Sequence, residues 1–256
     1  MNILLVNEAG CFAPGITALA KALSGRHRVC IAAPLNPQPG TGHSFTKAAA
    51  PLRVRQYFVL NKIKIFSVNG TPCDCVTLAL DKLLKSKPDV IIAGICERNV
   101  RGETIYSSGV VSAAIEGTIQ GIPSIAISAR VRDPSDEKNF QPIANSFARN
   151  LSHFIKNMAP DTTLKVNYPE KFSGRKIVCA PLTKGIINNT YTSEVNSFGR
   201  TFYWLESPNM GFTIEALDQK GDLYWLKKNF ITVTPLKLNL TCNTAVSVLD
   251  RAGITL

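Results

Sequence analysis

A chain of 256 residues, 45% hydrophobic and 18% charged, can bury a sizeable core. That excludes a disordered polymer and points to one large α/β domain or a domain with an appendage. The formal net charge of +11 favours anionic partners, yet the basic residues are scattered and their longest runs are pairs such as Lys227-Lys228. A dispersed solvated surface fits this pattern better than a nucleic-acid footprint, and no apolar run reaches membrane-spanning length.

Ile3 to Val6 is an apolar strand that breaks at the polar turn Asn7-Glu8-Ala9-Gly10. A helix from Ile16 to Leu23 follows Pro14-Gly15 and ends at Ser24-Gly25. Val29 to Ala33 is a second strand, stopped by Pro34. Thr71 to Leu84 reads as a helix whose apolar face carries Val76, Leu80, Leu83 and Leu84. Val90 to Ile95 is a buried strand, Val110 to Ile119 a helix rich in small residues, and Ser124 to Ser128 the next strand. This βαβ alternation predicts an α/β fold with a doubly wound, mostly parallel sheet covered on both faces. In such sheets the site forms where strands break into helices at their C-terminal ends.

The second half changes character. After a helix around Ile143 to Ile155 come short strands at Leu164 to Tyr168, Lys176 to Cys179, Phe202 to Leu205 and Ile231 to Thr234. Loops separate them, including the polar stretch Asn188 to Ser197. Antiparallel hairpins attached to the main sheet are expected. The division is a single domain over 1–256, with an α/β core over 1–160 and hairpins plus a C-terminal segment over 161–256. The N-terminus runs straight into a strand, which predicts no signal peptide. Seven cysteines without metal-finger spacing, several inside apolar strands, predict reduced thiols in a cytoplasmic protein.

Four segments carry chemistry. In Gly40-Thr41-Gly42-His43-Ser44, glycines let backbone amides approach an anion and Ser44 offers a hydroxyl, although a plain Gly-rich turn looks the same. Asn69-Gly70-Thr71-Pro72-Cys73-Asp74-Cys75 is a turn leading to an N-cap at Thr71 and Pro72 at the first helical position. Asp74 there is a first-turn carboxylate favoured by the helix dipole. Ser107-Ser108-Gly109 opens a helix whose unpaired first-turn amides suit an anion, and N-capping by either serine is compatible with that. Cys96 ends a central strand, where a thiolate would be a soft ligand able to join Glu8 and His43, but a buried inert thiol is the favoured reading. Arg98 follows, as a solvated loop residue or a charge for a bound anion.

The whole series resembles the SurE family of metal-dependent phosphatases acting on nucleoside monophosphates. The family turn Asn-Asp-Asp-Gly is Asn7-Glu8-Ala9-Gly10 here, and Ser-Gly-Val-Gly-His-Ser is Pro39 to Ser44. Asn-Gly-Thr-Pro-x-Asp-Cys is matched by Asn69 to Cys75, Ser-Gly-Ile-Asn by Ala93 to Cys96, and Tyr-Ser-Gly-Thr-Val by Ser107 to Val111. The resemblance implies substrate or phosphate contacts at Asn7, Gly40, Gly42, His43, Ser44, Asn69, Thr71, Asp74, Ser107, Ser108 and Gly109. It also implies a divalent cation, Mg²⁺ or Mn²⁺, that polarises the phosphate and activates water. The family's four metal ligands fall on Glu8, Ala9, Pro39 and Cys96, and each differs from the family residue. Glu8 and Cys96 alone retain a side chain able to coordinate, and Glu8 is the one candidate for a catalytic carboxylate. The resemblance therefore implies a nucleotidase or acid phosphatase with weakened or lost metal chemistry, a non-catalytic binder of nucleotide or another phosphorylated small molecule, or an oligomerising homologue with no small-molecule role. It implies self-association into dimers or tetramers in every case.

Overall fold

β1 (Asn2–Val6) is buried from Ile3 onward because helices cover both faces of the sheet it centres. Its alternation divides the interior: Ile3 and Leu5 face one core, and Leu4 and Val6 face the other. β5 (Val90–Cys96) does the same with Ile92 on one side and Ile91 and Ala93 on the other. The first core closes under α1 (Pro14–Ser24) and α4 (Gln141–Lys156), through Ile16, Leu19, Phe147 and Leu151. The second closes under α2 (Pro72–Leu78) and α3 (Gly109–Ile119), through Val76, Val110 and Ala114. The computed structural model describes residues 1–47, 50–59, 63–172, 176–184, 190–205 and 220–252.

The remaining strands are β2 (Arg28–Pro34), β3 (Val54–Val59), β4 (Ile63–Val68), β6 (Ser124–Ala129), β7 (Thr162–Tyr168) and β8 (Ile177–Cys179). After them come β9 (Tyr191–Val195), β10 (Thr201–Leu205), α5 (Asp222–Lys227), β11 (Ile231–Lys237) and α6 (Asn243–Arg251). The main sheet has nine strands in the order β3-β4-β2-β1-β5-β6-β7-β11-β8. From β4 to β7 the neighbours are parallel, while β3 and β11 run antiparallel to β4 and β7. The order reverses between β1 and β5, so the crevice for a ligand lies there, beyond the C-terminal ends of both strands.

The doubly wound core agrees with the sequence reading, and the departures have local causes. The helix expected over Thr71 to Leu84 is α-helical only to Leu78 and continues as a wider π-turn over Ala79–Leu83. β3 and β4 escaped notice because basic residues interrupt both, at Arg55 and Lys64. The hairpin β9–β10 does not join the main sheet but forms its own two-stranded one. The expected loop over Asn188 to Ser197 begins outside the described residues, and its part from Tyr191 to Val195 is strand β9. Polar Thr192, Ser193 and Glu194 adopt it because β10 pairs with them residue for residue. Among the described residues no helix is long and apolar enough to cross a membrane.

Candidate active site at the switch point

The turn after β1 is pinned from within. Asn7 Oδ1 accepts from the Ala9 amide at 3.0 Å, and the Glu8 carbonyl accepts from the Gln38 amide at 2.7 Å. These bonds fix the Glu8 backbone against the loop that follows β2. The Glu8 side chain, on a residue only 9% exposed, reaches across the crevice to α3. Its Oε2 accepts from the amides of Gly109 at 2.7 Å and Val110 at 3.3 Å. Its Oε1 accepts from the Cys96 thiol at 3.1 Å. Burial, with the Glu8 charge beside it, pushes the Cys96 thiol well above the ordinary range, so the sulfur keeps its proton and acts as a donor.

The Gly40 to Ser44 loop lies against the turn that precedes α3. The Gly42 amide donates to the Ser107 carbonyl at 3.1 Å. Gly42 has a φ of +55°, and a Cβ there would lie 2.6 Å from the Tyr106 carbonyl oxygen, so this contact requires glycine. His43 Nε2 sits 2.9 Å from Glu116 Oε2, while Gln120 donates to the other oxygen of Glu116 at 2.9 Å. The Ser44 carbonyl accepts from the Thr71 hydroxyl at 2.7 Å. A cavity of about 570 Å³ opens between Gly40 to Ser44, Glu103, Tyr106 and Ser107.

Asp74 is occupied by the fold. It completes a capping box with Thr71: the Thr71 amide donates to Asp74 Oδ2 at 2.8 Å, and the Asp74 amide donates to Thr71 Oγ1 at 3.1 Å. The Thr46 hydroxyl and amide also donate to Asp74, at 2.7 and 3.1 Å. Asn69 accepts from the Arg53 amide and ties the β4 end to the segment before β3. Ser108 caps α3 by accepting from the Val111 amide at 3.2 Å, and the Ser107 hydroxyl donates to the Thr104 carbonyl at 3.3 Å.

The structure thus brings Asn7, Glu8, Cys96, Ser108 and Gly109 to one edge of the crevice, and Gly40 to Ser44 and Ser107 beside it. Asn69, Thr71 and Asp74 hold the neighbouring loop. One expectation meets a different arrangement. The first-turn amides of α3, read from the sequence as open to an external anion, are taken by Glu8.

Several partners have weaker sequence signals. Glu116, the partner of His43, is a lone carboxylate among the small residues of α3, and that contrast is its only cue. Lys165 is a charge in the middle of a fully buried strand, which requires a counter-charge somewhere in the fold. Asp222 supplies it, 2.7 Å from Lys165 Nζ. The same Nζ donates to the Val100 carbonyl at 3.1 Å, which also receives the Asn167 amide group at 2.7 Å. The Val100 amide donates to Ser128 at 3.1 Å, so the loop leaving Cys96 is locked through both polar groups of one residue.

The divalent cation implied by the resemblance does not fit this set of donors. Mg²⁺ requires oxygen ligands in near-octahedral geometry. Ala9 and Pro39 offer no side-chain donor, Cys96 presents a protonated sulfur, and both Glu8 oxygens already accept hydrogen bonds. Among the described residues no three His, Cys, Asp or Glu side chains converge as a metal cluster.

A doubly wound sheet with loop amides, a helix start and a strand-end carboxylate meeting at the switch point belongs to the class of α/β proteins that take small ligands at that crevice. Comparison with known proteins narrows the class. The chain belongs to the SurE family: a family model described as Survival protein SurE matches residues 3–190. It is 34% identical to a protein named 5'-nucleotidase SurE from Thermoanaerobacter sp. (strain X514), over 99% of each chain. A protein of the same name from Fervidobacterium nodosum is 37% identical, over 94% of this chain and 93% of the relative. The crystal structure of the SurE protein from Aquifex aeolicus matches with a TM-score of 0.79 at 32% identity, covering 99% of this chain and 100% of that one.

Proposed function

We propose that this chain is a SurE-family protein in which metal-dependent hydrolysis of nucleoside monophosphates is weak or lost. Its cleft takes nucleoside monophosphates or other phosphorylated small molecules through the loop Gly40 to Ser44. The donor set carries this reading: a carboxylate held by amides, an alanine, a proline and a protonated thiol stand where the resemblance implies four metal ligands. Without a cation to polarise the phosphate and activate water, hydrolysis loses its principal source of transition-state stabilisation. The loop amides and the cavity beside them do not depend on those four positions, and the net charge of +11 helps to attract anions.

The relatives' shared name, 5'-nucleotidase SurE, favours a second reading in which hydrolysis persists at a relocated metal site. Calorimetric titration with Mn²⁺ separates the two, paired with turnover of nucleoside monophosphates and a generic phosphate ester. The proposal expects weak or no Mn²⁺ binding and at most marginal turnover that chelation removes. Saturable Mn²⁺ binding with efficient, chelator-sensitive turnover favours the second reading.

Self-association into a dimer or tetramer is part of the proposal. The β9–β10 hairpin exposes Tyr191, Phe202, Tyr203 and Trp204, and α6 has no buried residue among the described ones. Apolar surface of that kind is characteristic of interfaces. All seven cysteines are free, which supports a reducing, cytoplasmic setting.

A further inference from the structure

We propose that Glu8 is an internal anion that closes the seat at the start of α3, so that neither a phosphate group nor a divalent cation enters there in the native chain. The inference rests on the reading that metal-dependent turnover is weak or lost, and it names the device responsible. The amides of Gly109 and Val110 are the first of α3, and no carbonyl of the helix reaches them. They are the donors a phosphate would use at a helix start. Both point at Glu8 Oε2 instead, at 2.7 and 3.3 Å. Charge-assisted bonds and the positive end of the helix dipole favour the carboxylate in that place. An incoming phosphate would compete for the same donors while meeting a like charge at contact distance.

The seat is tight as well as occupied. A Cβ on Gly109 would lie 3.0 Å from Glu8 Oε2 and 2.9 Å from Pro72 Cγ, which leaves no room beside the carboxylate. A cation approaching from the opposite side would meet the Cys96 thiol proton, already directed at Oε1. The backbone sets this placement. The Glu8 backbone is held by the bond from Gln38, and the Glu8 Cβ lies only 3.2 Å from where a Cβ on Gly109 would stand, so the carboxylate meets the helix start at close range.

Amide-resolved NMR on the full-length chain tests this. Gly109 has no intrahelical acceptor, so protection of its amide from hydrogen exchange reports the Glu8 contact directly. We expect protection in the native chain and exchange at least tenfold faster in Glu8→Ala and Glu8→Leu. Titration with inorganic phosphate should leave the Gly109 and Val110 signals of the native chain unmoved. In Glu8→Ala it should shift them saturably, with an apparent Kd at least tenfold lower than any effect on the native chain and rising with salt. If Glu8→Ala fails to fold, Glu8→Leu, which keeps the side-chain volume but offers no acceptor, carries the exchange test. Phosphate shifts at Gly109 and Val110 as strong in the native chain as in Glu8→Ala overturn the proposal. So does unchanged Gly109 exchange in both folded variants. Native-chain shifts confined to Gly40 to Ser44 support the closed seat and the loop as ligand site together. Mn²⁺-dependent turnover by a native chain whose Gly109 amide stays protected overturns the functional reading while supporting the closed seat.

Discussion

Replacing Asp222 with alanine strips the buried Lys165 of its counter-charge. Lys165 and Asp222 are 1% and 0% exposed at the side chain, with Nζ 2.7 Å from Oδ2. Asp222 Oδ1 also accepts from the amide and hydroxyl of Thr183, at 3.0 and 2.8 Å. Burial lowers the Lys165 pKa, and the Asp222 charge offsets part of that effect. Leaving one member of such a pair alone costs about 3–5 kcal/mol, whereas exchanging both for apolar residues of similar volume is close to neutral. In a domain of this size, 3–5 kcal/mol corresponds to a fall in Tm of about 6–20 °C. Urea denaturation should therefore show Asp222→Ala with a lowered midpoint at unchanged slope, and the double variant Lys165→Met/Asp222→Leu recovering most of the loss. The reasoning fails if the single variant lies within about 1 kcal/mol of the native chain, or if the double variant is no more stable than the single one.

Asp74→Ala removes the acceptor of the Thr71 amide and of both Thr46 donors, so it should cost about 1–3 kcal/mol and accelerate hydrogen exchange at Thr46. Gly42→Ala places a Cβ against the Tyr106 carbonyl at a left-handed φ, and it should cost upwards of about 1 kcal/mol and detach the loop, measured as faster exchange of the Gly42 amide. Alkaline pH should destabilise the protein. Burial raises the thiols of Cys30 to about 11 and Cys73 to about 12, and lifts those of Cys75 and Cys96 well above the ordinary 9.0. Their folded forms hold protons that the unfolded chain releases, so stability is full below about pH 9 and falls by up to about 1.4 kcal/mol per thiol per pH unit above it. Lys165 contributes in the opposite sense, since the unfolded chain holds that proton longer, but one lysine is outweighed by four thiols. A urea midpoint at about pH 10 equal to that at about pH 8 contradicts this account.

The parallel core was legible because β1 and β5 carry near-continuous apolar runs, and β6 a largely apolar one, each followed by a polar residue, and such runs have few other uses. The capping box at Thr71 and the helix start at Ser108 were legible for a similar reason, since both are local patterns. Contacts between distant segments were not. Glu8 reaching Gly109 joins residues 101 positions apart, and no periodicity records it. The sequence shows a glutamate at a family aspartate position, while the structure shows its carboxylate on the first amides of α3. Lys165 with Asp222, and His43 with Glu116, are long-range pairs of the same kind. α6 was missed because its few apolar residues are scattered among polar ones, and none of them is buried among the described residues.

Side-by-side hydrolysis of a nucleoside monophosphate in saturating Mn²⁺ tests the central claim most directly. The native chain is compared with the fourfold variant Glu8→Asp, Ala9→Asp, Pro39→Ser and Cys96→Asn. The account predicts that kcat/KM of the native chain stays at its chelated level and that the variant gains metal-dependent turnover. Native turnover that matches the variant and disappears on chelation would contradict it.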